Sequence, residues 1–145
     1  MMLNASKIHA ATRQFERAYA IVMRPLSDAL GMPQTAADIL MFLSNNPEMN
    51  SAVDICTCRG LKPSNVSFHV EQLVREGYLV RSNAPNDRRR CCLQCTEKAQ
   101  PLIERGHALQ EEFYQRMTQG IPPEDFSAMQ RCLKIMEENL QRIKE

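Results

Sequence analysis

Tryptophan is absent from this chain of 145 residues, and glycine occurs only five times. So little glycine, beside many Leu, Met, Glu, Gln, Lys and Arg, favours helix over sheet. No apolar run approaches the ~20 residues of a membrane-spanning helix. The opening stretch MMLNASKIHAATRQFERAYA has no apolar run suited to a secretory signal. These absences exclude membrane and secreted classes and lead to the expectation of a cytoplasmic protein. In that compartment thiols stay reduced, so the six cysteines are not read as a disulfide framework. The length and an apolar fraction of 43% predict one domain, residues 1–145, with a real core.

Net charge is nearly absent too, but the charges are unevenly placed. Residues 1–58 carry four Lys or Arg against five Asp or Glu, residues 59–90 seven against three, and residues 97–145 seven against nine. A basic middle between near-neutral or acidic flanks fits a module that contacts a polyanion. A solvated basic face would give the same count, so charge alone leaves both readings open.

Apolar periodicity organises the rest. Ile8, Ala11, Phe15, Ala18, Tyr19, Val22 and Leu26 form one helical stripe over 6–30. Pro25 is expected to kink or end that helix. Ala36, Ile39, Leu40 and Leu43 predict a second helix, stopped by SNNPE. A third, capped by Asn50 or Ser51, ends at Gly60. The fourth starts with Pro63 in its first turn, carries Val66, Val70, Leu73 and Val74 inward, and stops at Gly77. Only RGL separates the third from the fourth, a helix-turn-helix signature. Strands at 78–81 and 91–95 around NAPND predict a hairpin, with Cys91, Leu93 and Cys95 on one face and Cys92 and Gln94 on the other. Thr96 is expected to cap a long fifth helix reaching about residue 118. Phe126, Met129, Leu133, Met136, Leu140 and Ile143 make a heptad seam in a last helix, suited to core or homodimer packing. The fold class is therefore mainly α with a small β-hairpin.

A fourth helix buried on one side must expose Ser64, Asn65, Ser67, Phe68, His69 and Gln72 on the other. Asn and Gln can pair bidentately with adenine edges, Ser with several bases, and Phe68 can touch a thymine methyl. Lys62 stands by the helix N-terminus, where backbone amides favour a phosphate. At the hairpin tip, Arg88, Arg89 and Arg90 follow Asp87. A narrow minor groove attracts an inserted Arg. Asp87 is expected to hold the Arg89 guanidinium, with Arg88 and Arg90 on phosphates.

The stretch LKPSNVSFHVEQLVREGYLVRSNAPNDRRRCCLQCTEKA resembles the winged helix-turn-helix core of the MarR-type (multiple antibiotic resistance) regulators. The matching features are P-S-x-V-S at the start of the fourth helix, L-x-x-x-G-Y at its end, D-x-R in the wing, and Thr96-Glu97-Lys98 opening the next helix. The resemblance implies a DNA-binding lobe over 33–95 flanked by dimerisation helices at 6–30 and 97–145. It implies an obligate homodimer on pseudo-palindromic operators in double-stranded DNA, acting as repressor or activator. It places Asn65, Ser67, Phe68 and His69 in the major groove and Arg89 in the minor groove. No enzyme activity, cofactor or membrane partner is expected; a small-molecule effector is. The chain departs from the family at Phe68, where Arg is usual, at Arg59, where Leu is usual, and at Ala99, where Gly is usual. Cys56 falls on a small apolar position, Cys91 and Cys95 on large ones.

Two rival readings stand beside this one. Cys56, Cys58, Cys91 and Cys92 suggest a thiol- or metal-responsive sensor, although C-x-C spacing is weak as a zinc signal and buried Cys is commonly a small hydrophobe. The family's peroxide sensors use a cysteine near the N-terminal helix, and this chain has none before residue 56. His107 and Glu111 form an i, i+4 pair that metal or solvent would suit. The other rival is a winged helix used only for protein contacts.

Overall fold

The computed structural model describes residues 4–143, so the first three and last two residues of the expected 1–145 span lie outside the described residues. Asn4 accepts the Lys7 backbone N–H at 3.0 Å and starts α1, Ala5–Leu30. The expected kink or stop at Pro25 does not end the helix. Met23, Leu26 and Leu30 are buried around it, and that packing outweighs the one backbone bond proline removes. The helix ends instead at Gly31, whose φ of 68° lets its N–H reach the Ser27 and Asp28 carbonyls.

Helix α2, Gln34–Asn45, buries Ala36, Ala37 and every residue from Ile39 to Leu43. It is apolar nearly all round and forms the centre of the core. Helices α3, Ala52–Arg59, and α4, Pro63–Arg75, follow with the short link predicted for them. Strands β1, Leu79–Ala84, and β2, Asp87–Cys95, pair antiparallel from Leu79↔Cys95 to Asn83↔Cys91. Ala84 then pairs with Asp87, so Arg88, Arg89 and Arg90 form a bulge in β2. Both strands are longer than predicted, and the arginines belong to a strand rather than to the turn. Leu93 and Cys92 are both buried while Cys91 is exposed, so neither face of the hairpin is wholly wet.

Thr96 does not cap a helix with its side chain. Its Oγ1 donates to the Gly77 carbonyl at 2.6 Å and its backbone N–H to Tyr78 at 3.1 Å. A 3-10 turn, Glu97–Ala99, intervenes before α5, Gln100–Thr118. The later start puts Pro101 in the first turn, where its missing N–H costs nothing. Helix α6 is Pro123–Ile143. No helix among the described residues is long and apolar enough to cross a membrane.

The chain forms two compact units, one ending at Glu111 and the other beginning at Glu112. The first has one continuous core that includes Met23, Leu26, Leu40, Ile55, Val66, Leu73, Leu93 and Ile103. In the second, α6 has no buried residue, and Leu133, Met136, Leu140 and Ile143 are all exposed.

Gly106 lies inside α5 where that helix meets α1 and α2. A methyl group there would collide with the Met41 sulfur and come within 3.1 Å of Leu26 Cδ2. Met41 is 1% exposed and has little room to move. Gly106→Ala should therefore lower stability by about 1–2 kcal/mol, overpacking exceeding the gain in helix propensity. Urea unfolding tests this; an unchanged or raised midpoint would contradict the close contact.

Candidate nucleic-acid interface

The site is assembled from the N-terminus of α3 outward. Ser51 Oγ accepts the Asp54 backbone N–H at 3.1 Å, and the Asp54 carboxylate accepts the Ser51 N–H at 3.0 Å and hydroxyl at 2.7 Å. This reciprocal cap starts α3 abruptly. Gly60, at φ 62°, ends it and turns the chain into Lys62 and Pro63. With Val66, Val70 and Leu73 buried, the rotation of α4 about its axis is set.

That rotation exposes Lys62, Ser64, Asn65, Ser67 and Phe68; Phe68 is 65% exposed. His69 and Gln72 differ from expectation in being only half-exposed. His69 Nδ1 and Gln72 Oε1 are buried without a hydrogen-bond partner among the described residues. They sit at the margin of the outward face because the buried stripe is broad. The Phe68 and His69 rings meet edge to face, with centroids 5.2 Å apart.

The hairpin is fastened beside this helix. Arg81 on β1 pairs with Glu71 on α4 at 3.0 Å. The Leu93 N–H donates to the Asn50 carbonyl at 2.7 Å, tying β2 to the segment before α3. Lys98 Nζ donates to the Glu76 carbonyl at 2.5 Å and stands 4.6 Å from the Tyr78 ring centroid.

At the tip, Asp87, Arg88, Arg89 and Arg90 are all exposed. Asp87 does not hold the Arg89 guanidinium. Its Oδ1 accepts the Arg89 backbone N–H at 2.9 Å, a local turn contact that a short carboxylate makes more readily than a long-range fork. Arg90 pairs with Asp54 at 3.5 Å. Arg88 and Arg89 form no ion pair among the described residues. The arginine row thus divides into one that fastens the wing to α3 and two whose charges face solvent.

Sequence reasoning missed Asp54, Glu71 and Arg81. The S-x-x-D spacing of Ser51 and Asp54 was a usable signal; the Glu71–Arg81 pair needed coordinates. Arg59, where the resembling family usually has Leu, pairs with Asp38 at 3.3 Å. Burial pushes the Asp38 carboxyl above its usual range, against the opposing pull of Gln34 and Arg59.

The cysteines do not converge on a metal site. No group of three or more His, Cys, Asp or Glu suited to a metal exists among the described residues. Cys92 is buried, and Cys95 is half-buried with its thiol pushed up by burial. His107 Nε2 is 2.8 Å from Asn45 Oδ1 and 3.4 Å from Ser44 Oγ, a polar link between α5 and α2.

Residues 30–90, which contain this site, match the model of the MarR family. A relative in Bacillus subtilis (strain 168), the uncharacterized HTH-type transcriptional regulator YfiV, is 29% identical over 119 residues, spanning 79% of this chain and 70% of its own. The transcriptional regulator PA3341 has a similar structure, with a TM-score of 0.81 at 23% identity over 93% of this chain and 98% of that one. CouR from Rhodococcus jostii RHA1, solved bound to p-coumaroyl-CoA, superposes with a TM-score of 0.70 at 22% identity over 89% of this chain and 87% of its own. At these identities the two structures share the fold.

The reciprocal cap carries a pH signature. Hydrogen bonds from Ser51, with the nearby Arg90 charge, hold the Asp54 carboxyl below its ordinary 3.8. A depressed folded pKa gives stability that is complete above the unfolded value and lost as pH falls through the folded one. Asp54→Asn, which removes a carboxylate charge from the first turn of α3, should cost about 0.3–1 kcal/mol at neutral pH. The gap from wild type should close as the pH is brought below 3.8. Urea midpoints across that range check it; a constant gap would contradict the assignment.

Proposed function

We infer that this chain, which belongs to the MarR family of DNA-binding transcriptional regulators and is not an enzyme, works as a homodimer on pseudo-palindromic operators in the cytoplasm. The carrying observation is the fixed rotation of α4: one side is core, and the other offers Asn65, Ser67 and Phe68 beside a wing tipped with Arg88 and Arg89, which form no ion pair among the described residues. Asn65 and Ser67 suit base edges in a major groove, and Phe68 suits a thymine methyl, in place of the Arg usual to the family. His69 and Gln72 reach the same groove from its margin. Lys62 and Ser64, at the first turn of α4, suit a phosphate. Arg89 enters the adjoining minor groove, with its backbone set by Asp87. Arg88 holds a phosphate, and Arg90 keeps the wing in place.

The second protomer follows from α6. A helix of 21 residues with no buried side chain, yet with Leu133, Met136, Leu140 and Ile143 along it, requires an apolar partner. A second copy supplies it and brings two reading helices to successive major grooves, ~34–36 Å apart. Repression relieved by a small-molecule effector is the mode of action we favour. The p-coumaroyl-CoA bound by CouR supports the idea that such a fold accepts effectors.

Two measurements test this reading. Arg89→Ala should weaken operator binding by about 1–3 kcal/mol and flatten the salt slope by about one, for a single lost charge contact. An unchanged mobility shift would contradict the wing assignment. Leu133→Glu with Leu140→Glu should give a folded monomer by sedimentation, with operator affinity lost; a dimer that survives both would place the interface elsewhere.

A further inference from the structure

The outward face of α4 carries one hydrocarbon side chain among polar ones, and it stands at the apex. At about 100° per residue, Phe68 points roughly 170° away from the mean direction of the buried Val66, Val70 and Leu73. It is 65% exposed, and Ser64, Asn65 and Ser67 around it are exposed and polar. The one carboxylate of the helix, Glu71, is drawn off to Arg81 at 3.0 Å. A lone exposed apolar side chain is ordinary on a protein surface. Phe68 differs in being held. Its ring meets His69 edge to face, with centroids 5.2 Å apart and planes at 81°. His69 is itself half-buried, and its Nδ1 is buried without a hydrogen-bond partner among the described residues. The imidazole is therefore wedged against the protein and serves Phe68 as a fixed support.

The floor of a major groove is a row of donors and acceptors with one hydrocarbon among them, the C5-methyl of thymine. A phenyl ring set against an amino or keto group would strip its water and return no hydrogen bond. Set against a methyl group, it withdraws two apolar surfaces from water together. The ring makes no hydrogen bond of its own. What it registers is therefore the methyl group and not the pyrimidine that carries it.

We propose that Phe68, positioned by His69, makes duplex binding depend on a pyrimidine C5-methyl group at one base pair of each half-site, and accepts 5-methylcytosine there as it accepts thymine. Methylation of cytosine at C5 is then a signal that this chain detects. A duplex with plain cytosine at that pair binds weakly, and the same duplex binds more tightly once that cytosine is methylated. The inference rests on the reading of α4 as the helix that enters the major groove, and adds to it a modified base as a recognised ligand.

The test uses the full chain and a duplex selected from a random pool, at one fixed salt concentration. Deoxyuridine replaces thymidine one position at a time, which removes a methyl group, keeps every hydrogen-bonding atom and needs no protein variant. One position per half-site should lose about fourfold in affinity, the worth of one buried methyl group. With cytosine at that position, adding its C5-methyl should raise affinity by about fourfold. Phe68→Ala should bind the thymine and uracil duplexes alike. His69→Ala should reduce the thymine-to-uracil ratio to about twofold, and His69→Phe, which keeps a ring edge against Phe68, should restore it. Affinity unchanged at every uracil position would overturn the proposal and leave the DNA-binding reading standing. A ratio that survives Phe68→Ala would overturn it too, and a wild-type ratio in His69→Ala would overturn the positioning role. Failure to bind any duplex would overturn the DNA-binding reading itself, and this inference with it.

Discussion

The burial of Val66, Val70 and Leu73 against the core around α2 is the contact on which the rest depends. Each such side chain contributes about 1.5–3 kcal/mol when withdrawn from water. Their more important effect is geometric. Three buried positions on one helix leave a single rotation about its axis, and every outward residue inherits its direction from that rotation. Phe68 illustrates the point. It is as apolar as the core residues, yet it is 65% exposed because Val66 and Val70 occupy the inward positions on either side of it.

The wing takes its place from the same helix by smaller contacts. A two-stranded hairpin is marginal alone in water. Here Leu79 and Leu93 join the core, Arg81 reaches Glu71, Arg90 reaches Asp54, and Asn50 accepts a backbone bond from β2. Thr96 and Lys98 close its base against the end of α4. The exposed ion pairs add little stability individually. Together they choose where the hairpin lies, which decides where Arg88 and Arg89 are carried. One positively charged finger beside one polar helix surface is the arrangement on which the proposed grip on a duplex relies.

Much of this was legible in the sequence, for definite reasons. The helix over Pro63–Arg75 was plain because its apolar spacing, its first-turn proline and the following Gly77 agree. Gly60 and Gly31 marked their turns for the same reason. What stayed hidden was tertiary. Pro25 is a helix breaker by local propensity, and only the packing of Met23, Leu26 and Leu30 keeps α1 continuous. Thr96 has the chemistry of a cap, but the Gly77 carbonyl competes for its hydroxyl. Among three adjacent arginines, nothing local distinguishes Arg90, which is tied to α3, from Arg88 and Arg89, which are not.

The central claim is that one protein surface addresses both grooves of one duplex. Dimethyl sulfate protection on a selected operator tests it most directly, because the reagent reports guanine N7 in the major groove and adenine N3 in the minor groove. The account predicts two protected major-groove stretches about 10 base pairs apart, centre to centre, each with protected adenines in an adjoining minor groove. Protection in one groove alone, or a single stretch with no counterpart, would contradict it.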